Sequence, residues 1–234
     1  MDLHLRTFMR SLRRMRENEA MTDVTLKLPD ESTIACHKLI LMAASSFFES
    51  MFQSGLKESI DNYVKLEFTD SDTIRALVEY IYSGEIEVNK ENVQTLVAAS
   101  EFLFLEDLKA NCDDYLATLI QSSNHQDLRD FGQKFNLKKL LSSTHEFYLS
   151  HFQEMIETPS FTNLTEEELV ALVSDDRLNA KSEDMVFESV VQWVKEDPEQ
   201  RKEAFPRIAP LIRFPLCTQK TLTKIVNCEQ LMWN

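Results

Sequence analysis

The pattern of apolar and polar residues changes its period twice between Asp23 and Phe52. Apolar and polar residues first alternate, a Pro-Asp-Glu-Ser turn sequence follows, and a second short apolar run ends at Cys36, which predicts a two-stranded hairpin. The alternating apolar residues are Val24, Leu26 and Leu28. After His37 the apolar residues become dense and then take helical spacing, so we predict two short helices, the second of which stops at Gly55.

Residues 64–120 continue this mixture of strand-like and helical segments. Alternation predicts strands over residues 64–68 and 85–88. Between them helical spacing predicts a helix that Ser71 or Asp72 caps and Gly84 ends. Two further helices are predicted over residues 89–103 and 105–120. We therefore predict a mixed strand-and-helix domain over residues 1–121.

The second half of the chain follows a polar connector at residues 121–124 and shows no convincing alternation. Thr165 and Glu168 have the spacing of a capping box, and Ser182 stands before another run of apolar residues at helical spacing. Prolines from Pro198 onward predict short helices or turns near the end. We predict an all-α domain over residues 125–234 and an α+β chain as a whole.

Composition narrows the kinds of partner that the chain can have. The net charge of −14 argues against broad binding to nucleic acid, which needs Lys and Arg to neutralise phosphates. No apolar run approaches the roughly 18 residues that a membrane span needs. We therefore expect no nucleic-acid and no membrane partner, and a cytoplasmic location with the nucleus as a second option.

The sequence offers no clear site for catalysis, metal or cofactor. Its three glycines form neither a dinucleotide-binding nor a phosphate-binding loop, and His145 and His151 lack the spacing of metal ligands on a helix. Cys36 and His37 are neighbours, but adjacent residues at a strand end point in different directions. We expect reduced, structural thiols and no catalytic residue, metal or cofactor. The cysteines are Cys36, Cys112, Cys217 and Cys228.

The first twenty residues predict an amphipathic helix with an arginine-rich polar side. Its apolar face consists of Leu5, Phe8, Met9, Leu12 and Met15. A mitochondrial transit peptide would also be rich in arginine, but this segment contains acidic residues and little serine. A short helix needs a partner for its apolar face. That partner is either the helix's own domain or a second copy of the chain, and the sequence favours neither.

The order of several motifs resembles the BTB domain of Kelch-like proteins, followed by their BACK domain. The first half contains Asp23-Val24, Cys36-His37-Lys38-x-x-Leu41, Ser46-x-Phe48-x-x-Met51-Phe52 and Tyr80-Ile81-Tyr82-Ser83-Gly84. The second half contains Phe135-Asn136-Leu137-Lys138-Lys139-Leu140, Phe152-Gln153-Glu154, Ser182-Glu183-x-x-Val186-Phe187, Trp193-Val194 and Arg213-Phe214-Pro215-Leu216. Such proteins usually hold their substrate through a following Kelch domain, and no such segment lies before Asn234. We expect either a fragment or a departure from the family.

The resemblance implies a homodimeric, non-catalytic adaptor that docks cullin-3 and brings a substrate protein to a ubiquitin ligase. Its docking loop would fall on Leu56 and Glu58, although Leu56 could instead close the preceding helix by packing on Met51. A BTB scaffold without cullin activity, in cytoskeletal or transcriptional assembly, is the alternative. A thiol enzyme that depends on Cys36 is a weaker third.

The resemblance also marks further contacts with cullin-3 and with a second copy. The side chains that it places near cullin-3 are Phe47, Phe48 and Tyr115, for which plain core packing is the alternative. The first BACK helices would extend that surface. Asp23 and Lys38 resemble a charged pair at the dimer interface, where the apolar face of the N-terminal helix is also expected. Alternatively, Asp23 only ends a connector and Lys38 is solvated.

Overall fold

The computed structural model describes residues 3–54 and 62–225. They divide into two compact units. The first comprises the described residues up to Leu119 together with Phe131–Leu140, and the second comprises Ile120–Asp130 together with the described residues from Leu141 onward. Within the described ranges no helix is both long and apolar enough to cross a bilayer.

The first unit contains a small sheet and the helices that pack around it. Its strands are β1 (Val24–Lys27), β2 (Thr33–Cys36) and β3 (Tyr63–Lys65). Its helices are α1 (Leu3–Glu17), α2 (Lys38–Ala44), α3 (Ser46–Gln53), α4 (Ser71–Ser83), α5 (Val93–Leu103) and α6 (Glu106–Ala117). The predicted hairpin followed by two short helices is therefore confirmed, and the fold class is α+β.

The sheet has the order β2-β1-β3. Strand β1 pairs antiparallel with β2, with Val24 opposite Cys36, and parallel with β3, with Leu26 opposite Val64. The inward residues of β1 and β3 are buried, as the alternation predicted, and so is Cys36 at the end of β2, whereas Ile34 of β2 is half-buried. Helix α1 packs on α4, and α3, α4 and α6 each contact α5.

Two details of the predicted elements are wrong. Residues 85–88 form no strand; residues 86 and 88 are half-buried, so the alternation there reports half-burial and not strand pairing. Helix α4 is capped by Asp70, whose carboxylate accepts a hydrogen bond of 2.8 Å from the Thr73 amide, and not by Ser71 or Asp72. Gly84 ends this helix with φ 73°, a left-handed conformation that glycine adopts without steric cost.

The second half of the chain contains helices and connecting turns but no strand among its described residues. The helices of the second half are α7 (His125–Phe135), α8 (Lys138–Ser150), α9 (Phe152–Met155), α10 (Pro159–Thr162), α11 (Glu166–Ser174), α12 (Glu183–Glu196), α13 (Pro198–Arg201) and α14 (Phe205–Ile208). Short 3-10 segments and a final π-helical turn, Thr221–Ile225, follow α13 and α14. The capping box at Thr165 and Glu168 and the cap at Ser182 are confirmed.

The core of the second unit is built from aromatic and branched side chains. Phe152, Phe161 and Phe187 are completely buried, and Trp193 donates its indole N–H to the Leu164 carbonyl at 2.9 Å. A buried indole needs such an acceptor, because an unsatisfied N–H in an apolar environment costs free energy. The helical pattern of the sequence is therefore matched by one continuous core.

Candidate functional site

The N-terminal helix α1 contacts its own unit chiefly through its last turns. Arg16 lies 2.7 Å from Glu79, and its guanidinium stacks 4.9 Å from the centre of the Tyr82 ring. Arg13 lies 2.7 Å from Glu79 as well and 3.0 Å from Glu17. Since Glu79 and Tyr82 belong to α4, these contacts fix the C-terminal half of α1 against that helix.

The N-terminal half of α1 leaves its apolar side chains uncovered. No residue of the helix is fully buried within the chain. Leu5 is 45% exposed and Phe8 is 52% exposed, whereas Met9 and Leu12 are half-buried. The four predicted dimer residues of α1 thus lie along one helix, and the two nearest its start have the least cover.

The side chain of Asp23 contacts the backbone of Lys38. The Asp23 carboxylate accepts a hydrogen bond of 2.7 Å from the Lys38 amide at the first turn of α2, which satisfies one of the free N–H groups there. The Lys38 ammonium donates to the Asn62 side chain and lies 5.3 Å from the centre of the Phe52 ring. These contacts are within one chain, and a role of the pair at a dimer interface stays a prediction.

Ser45 joins the start of α3 to the end of α5. Its hydroxyl accepts a hydrogen bond of 3.4 Å from the Phe48 amide and donates one of 2.6 Å to the Leu103 carbonyl. The residue is buried, so both bonds are shielded from water. This double contact fixes the position of the aromatic residues on α3 relative to those at the end of α5.

The two predicted docking residues on α3 have different surroundings. Phe48 is 1% exposed and stacks 5.9 Å from Phe52, so it packs in the core. Phe47 is half-buried and lies 5.0 Å from Phe102, which itself stacks 4.3 Å from Phe68. We call Phe47, Phe68 and Phe102 the aromatic patch. Phe102 is 44% exposed, so the patch reaches the surface of the first unit.

Phe104 lies next to the aromatic patch in sequence and holds an unfavourable backbone conformation. It is 56% exposed and ends α5 with φ 53° and ψ 45°, the left-handed region that usually belongs to glycine. Its amide donates to the Glu101 carbonyl at 3.2 Å, and the next amide, of Leu105, donates to Ser100 at 2.8 Å. An exposed phenylalanine here gains little from burial, so stability does not account for it.

Tyr115 is half-buried on α6, two residues after a buried carboxylate on the same helix. That carboxylate is Asp113, which accepts hydrogen bonds from the amides of Lys139 at 2.9 Å and Leu140 at 2.8 Å. It therefore satisfies free N–H groups in the first turn of α8, within the first unit. The docking role of Tyr115 stays a prediction.

Leu56 and Glu58, the expected docking loop, lie outside the described residues. In sequence, Leu56 is three residues beyond Gln53, the last residue of α3.

The thiols of the described cysteines are buried and unsuited to nucleophilic chemistry. Burial raises the pKa of Cys36 to about 12 and that of Cys112 and Cys217 to about 11, so each is a neutral thiol at physiological pH. Cys228 lies outside the described residues. Among the residues that the structure describes, no group of His, Cys, Asp and Glu side chains is arranged to hold a metal ion.

Family models match both halves of the chain. A BTB/POZ domain model matches residues 12–120, and a BACK model, described as BTB And C-terminal Kelch, matches residues 126–227. Human Kelch-like protein 2 is 31% identical over 99% of this chain, and zebrafish Kelch-like protein 3 is 35% identical over 94%. Human Kelch-like protein 17 is 32% identical over 95%. The chain belongs to the Kelch-like family and carries its BTB and BACK domains.

This Kelch-like chain covers 39%, 37% and 34% of the length of those three relatives, respectively. The matches therefore show that the chain contains the BTB and BACK regions of the family. They do not extend to the activities of the longer relatives.

The surface residues of the Kelch-like BTB domain that sequence reasoning missed are mainly aromatic. They are Phe68, Phe102 and Phe104. A partial signal was available at Phe102 and Phe104, since residues two apart at the end of a helix cannot both face the core, so at least one of the two had to be exposed. Asp113 and Ser45 gave no comparable signal, because each bonds to a partner distant in sequence.

Proposed function

We propose that this Kelch-like chain is a homodimeric, non-catalytic adaptor that docks cullin-3 through its BTB domain and presents a substrate protein for ubiquitination. The aromatic patch on the first unit carries the proposal. Aromatic side chains, phenylalanine included, are enriched at protein–protein interfaces, because they bury a large apolar area on contact.

The position of the patch favours docking over plain core packing for Phe47. Its ring touches Phe102, which is 44% exposed, whereas the neighbouring Phe48 is buried. Leu56 and Glu58 follow α3 in the sequence, and an apolar side chain with a carboxylate acceptor is suited to contact the same partner. The strained backbone of Phe104 is consistent with a residue kept for binding rather than for stability.

In the proposed homodimer, a second copy of the chain buries the exposed apolar side chains of α1. Leu3, Leu5 and Phe8 are exposed on a helix with no fully buried residue. Burying one such side chain completely contributes about 1.5–3 kcal/mol. In a symmetric dimer the same patch of both copies forms the interface, so each of these side chains is buried once in each copy. The substrate would be held by a Kelch domain, in keeping with the family resemblance.

The double variant Leu56→Ala with Glu58→Ala tests the cullin assignment. We expect it to abolish binding to the N-terminal helical region of cullin-3 in calorimetry, while the melting of the dimer stays unchanged. The matched control is Leu216→Ala with Glu203→Ala, which removes an exposed leucine and an exposed glutamate from the second unit. The control should bind as the parent protein does.

Two results would count against the adaptor. Undiminished affinity in the double variant would remove Leu56 and Glu58 from the docking site. A parent protein that dimerises but shows no cullin-3 binding would instead favour the BTB scaffold without cullin activity.

A further inference from the structure

Helix α1 carries a positive charge that contrasts with the rest of the chain. Five arginines and one glutamate give the helix a formal charge of +4, which leaves −18 on the remaining residues of a chain whose net charge is −14. Such a concentration of one sign on one helix favours binding to a group of the opposite sign.

Not all of these arginines have structural partners. Arg13 and Arg16 pair with Glu79, as described above. Arg6, Arg10 and Arg14 are exposed, and within residues 3–54 and 62–225 none of the three has an ion pair or a side-chain hydrogen bond. We call these three residues the arginine row. Like charges four residues apart cost an isolated helix about 0.2–0.5 kcal/mol per pair, so the row is not explained by stability.

The arginine row lies away from the apolar face of the helix. Residues four apart on a helix stay close to one line, with a drift of about 40° per step. The row therefore runs along the side opposite Leu5, Phe8 and Leu12, which is the face proposed for the dimer.

A cavity of about 250 Å³ lies beside the row, between α1 and the end of α4. Arg6, Arg10 and Arg13 line it together with Met9, Ser83 and Glu85. It is large enough for a carboxylate side chain, since a water molecule occupies about 30 Å³ in the liquid. Arg13 already pairs with Glu79 and Glu17, so the carboxylate of Glu85 is opposed in this lining by the two guanidinium groups of the row, those of Arg6 and Arg10.

The spacing of the row fits an extended chain. Successive arginines are about 6 Å apart along the helix axis, because each residue rises about 1.5 Å. Alternate side chains of an extended peptide lie on one side and are about 6.6 Å apart. A peptide with acidic residues at every second position can thus present one carboxylate to each guanidinium, in charge-assisted hydrogen bonds. A long nucleic acid fits less well, because the remaining −18 charges repel it.

We propose that the arginine row of α1 binds an extended acidic segment of a partner protein, with acidic residues at alternate positions. The arginine row shares no residue with the proposed cullin-docking surface, and binding of a peptide to the row does not depend on the adaptor function.

The test is fluorescence anisotropy with a labelled peptide in which glutamate and serine alternate. A second peptide of the same composition, with its glutamates in one block, is the control for net charge. We expect the alternating peptide to bind more tightly, and the binding to weaken with salt, since exposed charges are screened. The combined substitutions Arg6→Gln, Arg10→Gln and Arg14→Gln should weaken binding at least about tenfold, because they remove three charge-assisted donors.

A variant of equal charge separates a local site from general attraction. Lys181→Gln, Lys202→Gln and Lys220→Gln combined remove the same charge from exposed positions of the second unit. This lysine variant should bind the alternating peptide as the parent does. Equal weakening in both variants, or no weakening in the arginine variant, overturns the proposal.

Three further readouts distinguish other occupants of the row. Light scattering should show an intact dimer for the arginine variant, and calorimetry should show unchanged cullin-3 binding. A monomeric arginine variant would assign the row to the dimer interface and contradict the proposal. Tighter binding to vesicles that contain phosphatidylserine than to the alternating peptide would identify a lipid surface instead, and would contradict it as well.

Discussion

Helices α1 and α12 have similar lengths and clear apolar faces, but the structure uses them differently. Seven residues of α12 are buried, among them Phe187 and Trp193, whereas no residue of α1 is. Helix α12 finds its cover within the second unit. Helix α1 is held by Arg16 and Arg13 and leaves Leu5 and Phe8 exposed. Periodicity therefore reveals that a helix has an apolar face, but it does not reveal which part of the molecule or which partner buries that face.

Truncating a core side chain of α12 should lower the stability of the protein more than any other substitution considered below. Trp193→Ala should lower the free energy of unfolding by about 3–5 kcal/mol, since it leaves a cavity in the core and an unsatisfied Leu164 carbonyl. Urea unfolding followed by circular dichroism measures the change. Trp193→Phe is the matched control and should cost less, because most of the apolar volume remains. A loss below about 1 kcal/mol for the alanine variant would contradict a well-packed core here.

In α1 the removal of apolar side chains should weaken the dimer. Leu5→Ser with Phe8→Ser should raise the dimer dissociation constant at least about 100-fold, because the two substitutions remove four apolar side chains from the interface of each dimer. Each tenfold increase in the dissociation constant corresponds to about 1.4 kcal/mol. Analytical ultracentrifugation across a dilution series checks this. Leu216→Ser, at an exposed leucine of the second unit, should leave the dimer intact. A clean dimer of the α1 variant at every concentration would exclude these side chains from the interface.

Features that depend on neighbouring residues could be predicted from the sequence, whereas contacts between distant residues could not. The hairpin, the caps at Thr165 and Ser182 and the helices of both halves depend on neighbouring residues, and local patterns predict them. Asp70 was missed as a cap because several polar residues compete for that position. The aromatic patch was missed because it joins residues 47, 68 and 102, which no local pattern connects.

The smallest expected effect is at Phe104, where binding and stability should change in opposite directions. Phe104→Gly should raise the free energy of unfolding by about 0.5–1 kcal/mol, because the left-handed backbone no longer carries a side chain. It should also weaken cullin-3 binding in calorimetry by removing an exposed aromatic ring. Phe104→Ala loses the ring but keeps the strain, so it should weaken binding without the gain in stability. A lower free energy of unfolding for Phe104→Gly than for the parent protein would contradict a strained backbone at Phe104.

Hydrogen–deuterium exchange with and without the N-terminal helical region of cullin-3 shows where on this chain the partner binds, because amides covered by a partner exchange more slowly. If the aromatic patch is the docking surface, amides over residues 46–53 and 100–105 should exchange more slowly in the complex, while amides over residues 183–196 should not change. Protection confined to residues 183–196, or a stable complex that leaves residues 46–53 and 100–105 unprotected, would contradict the account.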